Sequence, residues 1–123
     1  MRIVINAGHT KLGVGSGAKK YLTESIETRK IAYELMKLLA DTSHEVIPAV
    51  FDKNSDNLNA AVKLSNSSKA DLFISIHMNK FTDSRYKGAQ VIYSDNFTQS
   101  QILAESVQKA LCSLKENTSK RMG

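Results

Sequence analysis

His9 and His77 each close an apolar run of the kind that forms a buried strand, Ile3-Val4-Ile5 before the first and Leu72-Phe73-Ile74 before the second. In an open parallel sheet, ligands gather beyond the carboxyl ends of the strands, where the strand order reverses. A flavodoxin-like order of 2-1-3 makes these two strands neighbours about 4.8 Å apart, so both imidazoles can reach one ion. Zinc takes nitrogen and carboxylate donors in a tetrahedron, and a catalytic centre leaves one corner for water. Two carboxylates compete to be the third ligand. Glu24 and Glu27 both fall in the first turn of the helix after a glycine-rich loop and, three residues apart, share a face. Spacing alone does not choose between them.

Taken singly, each of these residues has a plainer explanation. A histidine at a strand end is commonly a hydrogen-bonded loop residue, and the helix dipole favours a first-turn glutamate without any metal. Convergence of all of them on one crevice is what favours the ion. His44 lies between helix and strand at the opposite end of the sheet, so we read it as a surface residue. The loop Gly13-Val14-Gly15-Ser16-Gly17-Ala18-Lys19 matches neither the P-loop nor the dinucleotide spacing, and reads as a flexible rim. Cys112 is expected to pack as a small hydrophobe.

The elements that must position these groups can be traced along the chain. Arg2 to Ala7 is the first strand. Glu24 to about Ala40 is a long helix with Thr23 as N-cap and Ile31, Leu35, Leu38 and Leu39 at helical spacing. Glu45 to Phe51 is a second strand, placed at a sheet edge by Pro48. Leu58, Ala61, Val62 and Ser65 share one face of a shorter helix, and Ala70 to Ile76 is the third strand. This alternation implies an α/β fold with right-handed crossovers onto a parallel sheet. Gly88 to Tyr93 supplies a fourth strand. Thr98 and Gln101 then form a capping box, with Phe97 and Ile102 as a hydrophobic staple. Leu103, Val107, Ala110, Leu111 and Leu114 make the third helix amphipathic, and Lys115 to Gly123 is polar without a strand signal.

The chain of 123 residues suits one domain, 1–123, with 41% apolar and 24% charged residues for an ordinary packed core. A single cysteine excludes an internal disulfide framework. The net charge of +5 favours polyanions in general, but the basic residues are scattered and no basic stripe is interleaved with aromatics, so we expect no nucleic-acid partner. No run approaches the roughly 20 apolar residues of a membrane span. We read no signal peptide ahead of the first strand and so expect cytoplasmic synthesis.

The motifs Ile5-Asn6-Ala7-Gly8-His9, then Glu24 opening a helix, then Ala70-Asp71-Leu72-Phe73-Ile74-Ser75-Ile76-His77-Met78-Asn79, resemble the zinc-dependent N-acetylmuramoyl-L-alanine amidases of the amidase-3 type. The segment around His77 is the most specific part, and the likeness runs in order through Asn66 and Gly88. The resemblance implies a three-layer αβα domain with an open, mostly parallel twisted sheet, of phosphorylase/hydrolase-like type, of which this chain is the N-terminal two thirds. It also implies Zn2+ as cofactor, peptidoglycan as substrate and Asn79 as a substrate-binding residue. Because the family pattern sets an alanine eight residues after its carboxylate ligand, matching Glu24 and Ala32, it implies His9, Glu24 and His77 as the metal ligands and makes Glu27 a flank.

Some positions depart from that pattern. Thr10 stands where the family usually has glycine, and Ala61 replaces an arginine often seen before the third strand. The family's general-base glutamate lies on a later strand and has no match in this chain; Glu27 can approach the site but has no motif behind it. The expected activity is therefore metal-assisted hydrolysis of the muramoyl–L-alanine amide, slow or absent in this form. Such a protein acts at the bacterial cell wall, as a phage-type endolysin released through a membrane pore or a truncated autolysin. A free sheet edge would also favour a homo-oligomer. The first alternative is a non-catalytic wall-binding or regulatory module that keeps the metal pocket. A second, a nucleotide-binding domain using the glycine-rich loop, leaves His9 and His77 unexplained.

Overall fold

Strand β1, Arg2–Ala7, is buried along nearly its whole length because it lies between two parallel partners. The computed structural model describes residues 1–9, 23–53, 57–78, 88–114 and 120–122, which fall into two compact units, 1–80 and 81–123. The first unit runs β1, α1 (Glu24–Ala40), β2 (Glu45–Ala49), α2 (Asn57–Ser67) and β3 (Leu72–Ile76). Its sheet has the order β2-β1-β3, all parallel, with Ile5 opposite Pro48 on one side and Ile74 on the other. The 2-1-3 order expected from the sequence is thus present, and Pro48 lies on an edge strand, where its missing N–H breaks no inner ladder.

Side chains on β1 alternate between two layers. Ile3, Ile5 and Ala7 pack with Ala32, Leu35, Met36 and Leu39 of α1, whereas Val4 packs with Ala49, Ala61 and Leu64 on the α2 side. This gives the three-layer αβα arrangement within the first unit. The inward stripes differ from the sequence reading. On α1, Ile31 and Leu38 are exposed, and the buried line runs through Thr28 and Ala32. On α2, Leu58 and Val62 are exposed while Ala61 is fully buried. Small side chains occupy the contact because they let a helix approach the sheet closely, and the larger apolar groups are displaced to the flanks.

The second unit holds β4 (Ala89–Val91), α3 (Thr98–Cys112) and β5 (Lys120–Met122), with β4 and β5 parallel. β5 corrects the expectation of a strandless tail: three polar-flanked residues gain a ladder from β4, which requires backbone groups and not apolar alternation. The capping box is also absent. Phe97 is the N-cap, no side chain caps the helix, and Gln101 Nε2 donates instead to Glu105 Oε1 at 3.0 Å. Phe97 and Ile102 are both exposed, so no staple forms. On α3 the buried residues are Ala104 and Gln108, whereas Leu103 and Val107 are exposed, as is Leu114 just beyond the helix. Gln108 bonds like a strand partner, taking the Val91 N–H at 2.8 Å and donating to the Ala89 carbonyl at 2.9 Å. Cys112 Sγ accepts from the same amide at 3.2 Å and is only half-buried, not packed as a plain hydrophobe. Among the described residues no helix is long and apolar enough to cross a membrane.

Candidate metal centre

The carboxyl ends of β1 and β3 deliver His9 and His77, and the amino end of α1 delivers Glu24, all within the first unit. Two neighbouring parallel strands must end side by side, and the helix following β1 must begin on that same side. Glu24 is 5% exposed, unusual for a carboxylate unless its oxygens are engaged. Its Oε1 accepts the Met78 N–H at 2.9 Å and lies 3.2 Å from His9 Nε2 and 3.3 Å from His77 Nδ1. The two rings meet edge to face, with centroids 5.0 Å apart.

One ligand atom from each residue can be chosen so that all lie within 4.8 Å of one another. In a tetrahedral zinc site with bonds of about 2.0 Å, neighbouring donors lie about 3.3 Å apart. The two carboxylate–imidazole separations, 3.2 and 3.3 Å, are compatible with that edge, and the donors are the hard-to-borderline set zinc selects. The residues present fit the ion.

The backbone around these three residues is tied down. His9 has φ 68°, in the left-handed region that few non-glycine residues occupy. Its loop is tied by the Gly8 N–H to the Ile76 carbonyl at 2.8 Å and by Thr28 Oγ1, which donates to the Gly8 carbonyl at 3.1 Å. Gly8 is required by proximity. A β-carbon there would lie 2.6 Å from the His77 ring and 2.7 Å from the Ile76 carbonyl oxygen. Thr23 caps α1 only through its carbonyl, which accepts from Ile26 and Glu27.

The other sequence candidates are placed apart. Glu27 Oε1 pairs with Lys30 Nζ at 3.1 Å, one turn along α1. His44 sits at the other end of the sheet, its Nδ1 3.1 Å from the Met1 amino group. Asn79, Thr10 and the glycine-rich loop 13–19 lie outside the described residues. What the sequence reading missed is the support: Thr28, Arg29 and the Met78 amide. The available signal was two polar residues, Thr28 and Arg29, four and five positions after Glu24, on the helix face that should be apolar.

Comparison with known proteins identifies the family and the fold. A family model described as N-acetylmuramoyl-L-alanine amidase matches residues 3–122. The germination-specific N-acetylmuramoyl-L-alanine amidase of Bacillus subtilis is 33% identical over 69 residues, covering 56% of this chain and 29% of that protein. The chain thus spans well under half of the curated relatives it matches. The crystal structure of an N-acetylmuramoyl-L-alanine amidase from Clostridium difficile 630 shares the fold, with a TM-score of 0.82 at 24% identity over 98% of this chain and 67% of that one. The CwlD amidase of Clostridioides difficile, solved with the GerS lipoprotein, has a TM-score of 0.80 at 26% identity over 98% and 71% of the two chains.

Proposed function

The chain belongs to the N-acetylmuramoyl-L-alanine amidase family, and on that premise we propose that it holds Zn2+ through His9, Glu24 and His77 and serves hydrolysis of the muramoyl–L-alanine amide of peptidoglycan at the bacterial cell wall. The observation that carries this reading is a nearly buried carboxylate facing two imidazoles at zinc-ligand separations. A bound zinc ion supplies Lewis-acid polarisation of the scissile carbonyl and makes water a better nucleophile at neutral pH.

The chain's own residues do the positioning. The Met78 N–H fixes one oxygen of Glu24, and the tied loop after β1 orients His9. His77 is partly open to solvent, which leaves room for a substrate carbonyl to approach. A proton-transferring group contributes about 10²–10⁴-fold to such hydrolysis. Glu27, the one candidate the sequence offers, is engaged with Lys30. A polypeptide of these 123 residues is therefore expected to bind zinc and to turn over slowly. The second reading is wall recognition without turnover. Self-association through an exposed sheet edge belongs to the same proposal; a monomeric sedimentation profile at high concentration would remove that part.

The test is to load the chain with zinc, incubate it with purified peptidoglycan, and measure both new alanine amino termini and the fraction of protein sedimenting with the wall. Zinc-dependent release of alanine termini that disappears in His77→Ala supports the amidase. Wall binding without release supports the recognition module. Absence of both, in a chain that takes up no zinc, defeats the proposal.

A further inference from the structure

We propose that Arg29 is a positioning residue that sets the zinc affinity of the centre through the backbone of His9; the inference rests on the reading that His9, Glu24 and His77 hold the ion. Arg29 is 7% exposed, deep for a permanently charged side chain. Its guanidinium gathers carbonyls from three separate segments. Nη1 donates to the Ser25 carbonyl at 2.7 Å, in the helix turn that carries Glu24, and to the His9 carbonyl at 3.4 Å. Nη2 donates to the Phe51 carbonyl at 2.7 Å, beyond the end of β2, and meets Asp52 Oδ1 at 3.3 Å.

The pattern is that of a clamp. One planar group spans the loop after β1, the first turn of α1 and the segment after β2, and two of those three segments carry a proposed ligand. Among the described residues Nε is buried without a hydrogen-bond partner, so the side chain has been placed for its two terminal nitrogens at the expense of the third. A space-filling residue at this depth would be apolar and would carry no such penalty. Lysine cannot substitute, because a single ammonium lacks the rigid fork that reaches divergent acceptors. The restraint matters at His9 because its left-handed backbone is not held by local preference. Slack there moves Nε2 directly, and an imidazole displaced by a few tenths of an ångström loses its place in a tetrahedron. Asp52, 62% exposed at its side chain, anchors the outer end of the guanidinium without entering the core.

The experiment compares the wild-type chain with Arg29→Lys, Asp52→Asn and His44→Ala. Zinc dissociation constants come from competition with a chromophoric chelator, thermal midpoints are taken metal-free, and the visible spectrum is recorded with Co2+ as the probe ion. Arg29→Lys is expected to weaken zinc by about 10–100-fold, the usual range for groups that orient metal ligands, and to alter the cobalt spectrum. Asp52→Asn is expected to weaken zinc by a smaller factor with an unchanged metal-free midpoint, and His44→Ala to change neither. Wild-type zinc affinity and cobalt spectrum in both Arg29→Lys and Asp52→Asn, whatever their midpoints, would overturn the proposal and leave the zinc reading intact. If Arg29→Lys fails to fold, Asp52→Asn decides alone by the same criterion. A wild-type chain that binds no zinc would overturn both.

Discussion

At the amino ends of the three strands, the Met1 amino group faces His44, Arg2 Nε donates to Glu45 Oε2 at 2.8 Å, and the Arg2 N–H donates to Asp71 Oδ2 at 2.7 Å. At the carboxyl ends, His9 and His77 face Glu24. Both ends therefore assemble histidine and carboxylate, and both include residues from β1 and β3 or their flanks. The difference lies in partners and solvent. Each carboxylate named at the amino end has a donor of its own in an open recess lined by Met1, Arg2, Ser43, Glu45, Lys69 and Asp71. Glu45 holds the Arg2 guanidinium above its ordinary value, first through the hydrogen bond and then through charge. The carboxyl end instead brings two imidazoles to one carboxylate oxygen withdrawn from water. Residue type alone does not separate the two ends; the burial of Glu24 and the meeting of both rings at one of its oxygens do.

The comparison breaks most sharply on the ligands. His77→Ala or Glu24→Ala is expected to lower bound zinc from one ion per chain to near zero by elemental analysis after gel filtration. Retention of a full equivalent by either variant would place the ion elsewhere.

Gly8→Ala should follow in size. The added methyl meets the His77 ring and the Ile76 carbonyl at distances real β-carbons do not show, so the loop must shift, at about 1–3 kcal/mol for overpacking. Chemical denaturation of the metal-free chain reads the loss, and zinc affinity should fall with it because the ring that moves is a proposed ligand. A neutral effect would mean that the loop is softer than its hydrogen bonds imply.

Thr28→Val keeps the shape of a fully buried side chain and removes the donor to the Gly8 carbonyl. A loss of about 1 kcal/mol is expected from the missing bond. At the bottom of the series, His44→Ala should leave zinc stoichiometry unchanged, since His44 lies at the opposite end of the sheet. Loss of zinc in that variant would erase the distinction between the two ends.

Much of the scaffold was legible because its signals are local. The apolar run Ile3-Val4-Ile5 announces a strand covered on both faces, and β1 is buried on both. Helix α1 begins at Glu24 and ends at Ala40, as its acidic first turn and periodicity indicate. Helix faces were less legible, since Ile31 and Leu38 look like core residues until the sheet selects the smaller stripe of Thr28 and Ala32. β5 was not legible at all, because a short ladder draws on its partner's backbone and leaves no mark in composition.

The sequence by itself determined which residue types were available at which strand and helix ends, and its motifs named His9, Glu24 and His77 together. Only the tertiary structure decided that both rings stand 3.2–3.3 Å from one Glu24 oxygen, that Glu27 turns to Lys30, and that Gly8, Thr28 and Arg29 tie the loop of His9. The physical reason is range. Secondary structure follows from interactions a few residues apart, whereas a site built from segments 15 and 53 residues apart along the chain exists only once the sheet order brings their ends to one rim.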